Sequence, residues 1–405
     1  MKRATSLLTM LFCLTVLIGC RKEPMPFPSS YKNVLIIYSA AYNNLAGPLA
    51  TDIEFELARG EVPDKYSQNA VVIFSHSAPY SGPYGSGDSR HYSTSGDYET
   101  NTDPVLIRMY KEGGAVKLDT VQRYDRTFNE ILPKNMSRVL MDIKTLCPSE
   151  QYGLLYSSHG SGWLPPQPQP KHNSIGMHFN GSSSNKDEMD ILDFQTAIPM
   201  RLSYLIFDAC YMGAVEVAYQ MRSTCAYFIG SATEIPDTGF DYVNLTRRVF
   251  APDGPDLKGI CDDYLNVSAM GGTIALVSCN KLDALASEVK ALTDKYRDEL
   301  YKISEEGRRT TIQRYWCSSE YKYFYDLEDI FHHVSATTAE LGRLSERIKS
   351  AVIYEAHTDV FTKGSLHLQN CCGLSMYLPA KDPSYDRVNE YYKTLDFDKL
   401  TKLVE

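Results

Sequence analysis

The sequence is poor in tryptophan, with two residues in 405. It also lacks several features that would announce a particular function class. No Cys-x-x-Cys pair occurs among its ten cysteines, so zinc-ribbon spacing is absent. Basic residues are not in excess: the formal net charge is −9, which argues against a general nucleic-acid binder. No internal repeat is visible, which argues against a solenoid or propeller. The apolar run Leu7–Ile18 is too short for a comfortable membrane span.

What is present has the balance of a soluble globular protein, 43% hydrophobic and 22% charged, on a chain long enough for one large domain or two ordinary ones. Tyrosine is abundant at 29; a tyrosine-rich surface that binds sugars or peptides and plainly scattered tyrosines are both consistent with that number. Lys2 and Arg3 followed by Leu7–Ile18 read as an export signal. The signal ends in Leu17-Ile-Gly-Cys20, which resembles a bacterial lipoprotein box. The expectation is therefore a signal peptide over 1–19, cleavage before Cys20, lipidation of that residue, and a tether over 20–30. Eight cysteines remain beyond Cys13 and Cys20. The oxidising environment of an exported chain permits pairing among them, but a free thiol at one of them would leave an odd number. Adjacent Cys371 and Cys372 read as packing residues.

Short apolar runs alternate with helical patterns along the chain. Strands are predicted over 33–39, 70–75, 152–158, 204–208, 226–230, 272–278 and 373–378, with a strand pair at 105–110 and 113–118 around Gly113-Gly114. Helices are predicted over 48–59, 129–146, 193–200, 243–250, 257–269, 282–307, 327–333, 338–353 and 385–403. Residues 77–103, rich in Ser, Gly and Tyr, read as a long surface loop or a small hairpin excursion, and residues 162–190, which lack apolar periodicity, as an exposed loop. Apolar strands alternating with helices imply a largely parallel sheet covered on both faces.

Two strand ends carry chemistry. The run Tyr204-Leu-Ile-Phe-Asp-Ala-Cys-Tyr-Met-Gly213 puts Cys210 at the C-terminal edge of a strand, just before a helical stretch. Ligands of open α/β sheets bind at such edges, and a helix N-terminus there would lower the thiol pKa. Upstream, Tyr152-Gly-Leu-Leu-Tyr-Ser-Ser158 ends in His159-Gly-Ser-Gly-Trp163. A histidine and a cysteine at one sheet edge form the pattern of a thiol nucleophile with its base. His76 competes by position, at the end of another strand, but no glycine follows it. His332-His333 read as surface histidines, because adjacent residues face different sides of a helix.

These blocks resemble the clostripain family of cysteine peptidases, within the wider group of caspases, legumains and gingipains. The resemblance rests on His159-Gly-Ser-Gly-Trp163 and Asp208-Ala-Cys-Tyr-Met-Gly-Ala-Val-Glu-Val-Ala218. Ala40-Ala-Tyr-Asn-Asn-Leu45, Gly230–Tyr242 and Cys372-Gly-Leu-Ser-Met-Tyr-Leu-Pro379 support it. It implies a caspase-like α/β/α sandwich around a mainly parallel sheet, with a core over 31–280 and residues 281–405 as a C-terminal helical and β elaboration packed on it. It implies a cysteine endopeptidase acting on proteins or peptides, with His159 and Cys210 catalytic and the backbone N–H groups of Gly160 and Cys210 receiving the oxyanion.

In these peptidases a basic residue precedes the cut bond and meets acid near the pocket. Here Asp208, Asp237, Thr238 and Phe240 are the substrate-binding candidates, with Tyr242 as a further wall. Thr238 stands where the relatives carry Asp, and Asp237 is one residue early. A basic preference and an asparaginyl or other non-basic preference both stay open. Self-cleavage at Lys171 or Lys186, in the 162–190 loop, is a further family expectation. Calcium comes from the family alone, since no EF-hand loop is present. The Asp262-Asp263 pair reads as solvated surface, and no metal or cofactor is otherwise expected. A monomer anchored to the cell envelope through Cys20 is the expected state. A catalytically idle lipoprotein that binds peptide or glycan is the alternative from another class.

Overall fold

The apolar runs line up in one nine-stranded sheet. A computed structural model describes residues 27–83, 97–99, 102–166, 175–182, 184–305, 307–318, 322–362 and 364–404. The export signal, Cys20 and Lys171 lie outside the described residues. The sheet strands are β1 (Tyr31–Ala41), β2 (Asn69–Ser77), β3 (Val105–Glu112), β4 (Ala115–Arg123), β5 (Ser149–Ser157), β6 (Leu202–Asp208), β7 (Cys225–Gly230), β8 (Thr273–Ser278) and β9 (Val352–His357). Their spatial order is β9-β8-β7-β6-β5-β1-β2-β3-β4. The five central strands, β7 to β2 in that order, run parallel. The outer four are antiparallel.

Parity along each strand builds two apolar layers. Val34, Ile36 and Tyr38 face one layer with Leu154, Tyr156, Leu205 and Phe207. Leu35 and Ile37 face the other with Leu155, Tyr204 and Ile206. The first layer is closed by α2 (Pro133–Leu146), α3 (Ile191–Ala197), α4 (Val215–Met221), α7 (Leu282–Glu305) and α8 (Thr338–Ala351). The second is closed by α5 (Tyr242–Val249), α6 (Leu257–Val267) and the π-helical turn Asp52–Leu57 that continues α1 (Ala46–Thr51). The architecture is an α/β/α sandwich around a mainly parallel sheet. Because the central strands are buried on both faces, they read as unbroken apolar runs.

Residues beyond 280 are woven into this core. β9 extends the sheet next to β8. Buried Glu216 on α4 accepts hydrogen bonds from the Tyr377 backbone N–H at 2.8 Å and the Tyr392 hydroxyl at 2.7 Å.

Several local expectations change. α2 begins at Pro133 rather than Asn129, since Pro is suited to the first helical position and the Asn129 side chain accepts from Ile131 N–H instead. The predicted 162–190 loop contains a hairpin, Ile175–Ser182 with Asn185–Met189. Trp163 within it is fully buried against Tyr377 and Tyr392, at ring distances of 5.0 and 4.8 Å. A partner more than 200 residues away leaves no periodicity to read. The predicted strand 373–378 pairs only at Ser375–Met376, and the closing helix is two, Asp386–Tyr392 and Asp396–Thr401. Ile353 belongs to β9 and not to the preceding helix.

All eight cysteines from Cys147 onward are free among the described residues. Cys225 and Cys279 bring their sulfurs within 3.6 Å.

Candidate active site

β5 and β6 are neighbours in parallel register, with Ser157 opposite Asp208. His159 and Cys210 each stand two residues beyond that pair. Both line one cavity of about 190 Å³, with Leu45, Leu49, Ser158, Asp208, Ala209, Ile235, Pro236, Asp237 and Gly239. A larger cavity of about 600 Å³ opens in the C-terminal region around Asp326, Asp329, His332 and Cys371. Its lining includes no residue from the carboxyl ends of the parallel strands, where ligands of open α/β sheets bind. The smaller cavity has the thiol and the imidazole at one sheet edge.

The strand-to-helix connection holds Cys210 in a specific way. Tyr211 has φ 62°, a conformation uncommon for a bulky residue. It is fixed by its N–H on Thr233 O at 3.0 Å, its hydroxyl on Glu234 at 2.7 Å, and its ring stacked on Phe324 at 4.9 Å. The helix begins only at Val215. Cys210 is therefore not at a helix N-terminus, and the dipole effect expected from the sequence fades over that distance. Burial instead raises the thiol pKa to about 12; the Ile235 N–H, 3.4 Å from Sγ, offsets this only in part.

His159 is half-buried. Its Nε2 lies 2.9 Å from Asn44 Oδ1. An amide oxygen only accepts, so Nε2 carries the hydrogen and Nδ1 keeps its lone pair in the neutral ring. Burial, aided by the positive charge of Lys186, lowers the His159 pKa to about 4. The resting pair is therefore neutral thiol and neutral imidazole. Asn44, in the stretch after β1, carries no local signal for a role at this site; its contact with His159 joins positions 115 residues apart.

Asp208 is buried. Its Oδ2 accepts from the Tyr242 hydroxyl at 2.8 Å and the Ser157 hydroxyl at 3.2 Å. Burial raises its pKa to about 6. Gly239, at φ 57°, is needed beside it: a Cβ there would lie 2.6 Å from Asp208 Oδ2. Asp208 thus both ties down the 239–242 loop and borders the cavity. Asp237 is exposed at the cavity edge.

Phe240 and Tyr242 are corrections to the expected pocket wall. Phe240 packs on Tyr264 at 4.9 Å in the second core layer, and Tyr242 turns its hydroxyl to Asp208. Thr238 is buried and absent from the cavity lining, with its hydroxyl unpartnered among the described residues. Lys186 lies in the hairpin strand Asn185–Met189 opposite Phe179, with its ammonium 3.0 Å from Glu188. His76 is fully buried and bonded to Glu130, outside this cavity. Of the surface histidines, His332 is exposed and His333 half-buried.

The sequence model of the peptidase C11, clostripain family matches residues 37–404. The chain belongs to the clostripain family. It is 26% identical to clostripain of Hathewaya histolytica over 245 residues, 55% of this chain and 43% of that protein. The match thus spans less than half the length of that relative. Among solved structures, a secreted C11 cysteine protease from Bacteroides thetaiotaomicron, in complex with an irreversible peptide inhibitor, superposes with a TM-score of 0.74 at 22% identity, covering 92% of this chain and 99% of that one. An inactive zymogen C11 protease from Parabacteroides distasonis gives a TM-score of 0.72 at 24% identity, with 93% and 99% covered. These likenesses establish the clostripain-family fold.

Proposed function

We propose that the chain is a cysteine endopeptidase in which Cys210 Sγ attacks a peptide carbonyl and His159 transfers the proton. The observation that carries this reading is the equal offset of His159 and Cys210 beyond a register pair on adjacent parallel strands, at one cavity. Because both groups are neutral at rest, His159 Nδ1 takes the thiol proton as the C–S bond forms. The carbonyl oxygen becomes an anion and is received by the backbone N–H groups of Gly160 and Cys210. The imidazolium then protonates the leaving amine as the C–N bond breaks. Water, activated by the same ring, hydrolyses the thioester and restores the thiol. Asn44 keeps the ring turned so that Nδ1 faces the reaction.

Asp208 inside the cavity and Asp237 at its edge favour a basic side chain before the cut bond. Thr238 and Phe240 act on this pocket through the loop they belong to. The N-terminal signal and Cys20 support an exported, lipid-anchored enzyme, working as a monomer on protein or peptide substrates. Self-processing falls at Lys171 in preference to Lys186, whose backbone would have to leave its hairpin ladder to reach an active site.

The test is hydrolysis of fluorogenic peptides ending in Arg, Lys, Asn or Asp by the chain from residue 21, beside Cys210→Ala. Cleavage after Arg or Lys that vanishes in the variant is expected. Cleavage after Asn alone would keep the chemistry and discard the basic pocket. Complete inactivity of the unmodified chain, with calcium and reductant present, would favour a binding lipoprotein.

A further inference from the structure

A second cluster of titratable groups lies behind the cavity. Glu130 Oε2 is 2.7 Å from His76 Nδ1 and 2.7 Å from His178 Nδ1. Glu130 and His76 are fully buried and His178 is 8% exposed. The three residues come from the end of β2, the turn before α2, and the hairpin strand Ile175–Ser182. The Tyr42 ring packs on both imidazoles, at 4.6 Å from His76 and 4.7 Å from His178.

The spacing identifies the cluster as a hydrogen-bonded brace. Ligand atoms around a tetrahedral zinc, each about 2.0–2.1 Å from the ion, lie roughly 3.3 Å apart; here both nitrogens sit at hydrogen-bond distance from the same oxygen. A carboxylate oxygen only accepts, so each ring donates its Nδ1–H. Burial by itself would raise the Glu130 pKa, but the two imidazole donors reverse this and hold the carboxyl below its ordinary range. A buried carboxylate with two N–H donors is costly to disturb, since removing the acceptor strands both rings.

The brace reaches the active-site loop through short links. Phe179 N–H donates to Tyr42 O at 2.9 Å. Asn43 Nδ2 donates to Met177 O at 2.9 Å and to Ala40 O at 2.9 Å. Gly176 N–H donates to His159 O at 2.8 Å. The hairpin that carries His178 therefore grips both the Tyr42–Asn44 turn and the backbone of His159. Asn44 completes the circuit through its 2.9 Å contact with His159 Nε2.

We propose that Glu130, with His76 and His178, is a positioning residue that sets Asn44 and thereby the tautomer and orientation of His159. This rests on the reading of His159 as the base. The test compares Glu130→Gln, Asn44→Ala and the double variant in the chain from residue 21, with His178→Gln as a milder variant should Glu130→Gln not fold. Peptide hydrolysis gives kcat and KM, and 15N-histidine NMR gives the His159 tautomer, assigned with His159→Gln.

Expected are an Nε2–H tautomer in the unmodified chain and mixed tautomers in each single variant. The kcat should fall about tenfold or more with KM within twofold, and the double variant should be no worse than the poorer single one. An unchanged tautomer in Glu130→Gln or His178→Gln, or losses that multiply in the double variant, would overturn the proposal. One equivalent of bound zinc in the purified chain, lost in Glu130→Gln, would overturn it as well. If the unmodified chain hydrolyses no peptide, the peptidase reading fails, and the tautomer measurement still decides the brace.

Discussion

A Cβ added at Gly160 would lie 2.8 Å from the carbonyl oxygen of Cys210 and 2.9 Å from the Ala209 Cβ. The glycine after His159 thus lets the ends of β5 and β6 close on each other. The room that the missing side chain leaves is taken up by the Cys210 backbone. Gly160→Ala should therefore separate the two residues at the candidate site. A displacement of this kind costs on the order of 100-fold in rate. The expected outcome is that loss in kcat/KM with a folded chain by circular dichroism. Unaltered kinetics would mean that the backbone contact does not set the spacing.

The thiol state is open to direct measurement. With the Cys210 pKa raised to about 12 by burial and that of His159 lowered to about 4, the free protein holds little thiolate at neutral pH. Alkylation of Cys210 by iodoacetamide should be slow at pH 7 and climb about tenfold per pH unit to pH 10, as thiolate fraction dictates. A plateau reached near pH 7 would instead reveal a thiolate–imidazolium pair.

Asp208 links pH to specificity. Its folded pKa is raised to about 6, so its charge is lost as pH falls through 6. For peptides with Arg or Lys before the cut bond, kcat/KM should have an acid limb near pH 6. Asp208→Asn should reduce kcat/KM for those peptides by about 30-fold or more, the scale of a buried charge pair losing one partner, and remove that limb. Peptides with a neutral residue there should lose less. Equal losses for both would assign Asp208 to loop support alone.

Stability should fall as the solution becomes more alkaline. Burial raises the carboxyl pKa of Asp208 and Asp326 to about 6 and of Glu216 to about 7. Their folded forms bind protons more tightly than the unfolded chain. The stabilisation is full below the unfolded carboxylate range and is lost as pH rises through 6 to 7. Tm measured by calorimetry should drop between pH 5 and pH 8, and Glu216→Gln should flatten that slope. Glu130 acts in the opposite sense, since its pKa is lowered, and its contribution disappears in stronger acid.

The central strands were legible because both their faces are buried. Apolar runs such as Val34–Tyr38 and Leu205–Phe207 have no polar alternation to confuse them. The edges are less so: the last predicted strand pairs only at Ser375–Met376, and β9 is not among the predicted strands, only its first two residues falling in the helix predicted over 338–353, because its pairing with β8 is a long-range fact. At the candidate site, His159 and Cys210 could be named because strand ends of a parallel sheet converge. Asn44, the turn at Tyr211 and the Glu130 brace carry no local signal. Phe240 and Thr238 were misplaced because a loop's sequence does not say which of its side chains turns inward.

The sequence by itself determined where the chemistry sits in the strands: a histidine and a cysteine, each just past the C-terminal end of an apolar strand. Burial of apolar runs is a property of composition and period, so it can be read locally. Only the tertiary structure decided the state of those groups. Desolvation keeps the thiol and imidazole neutral, the Gly160 backbone brings their strands together, and contacts between residues 42–44, 76, 130 and 178 buttress the ring of His159. Each of these depends on distances between segments far apart in the chain, which no periodicity encodes.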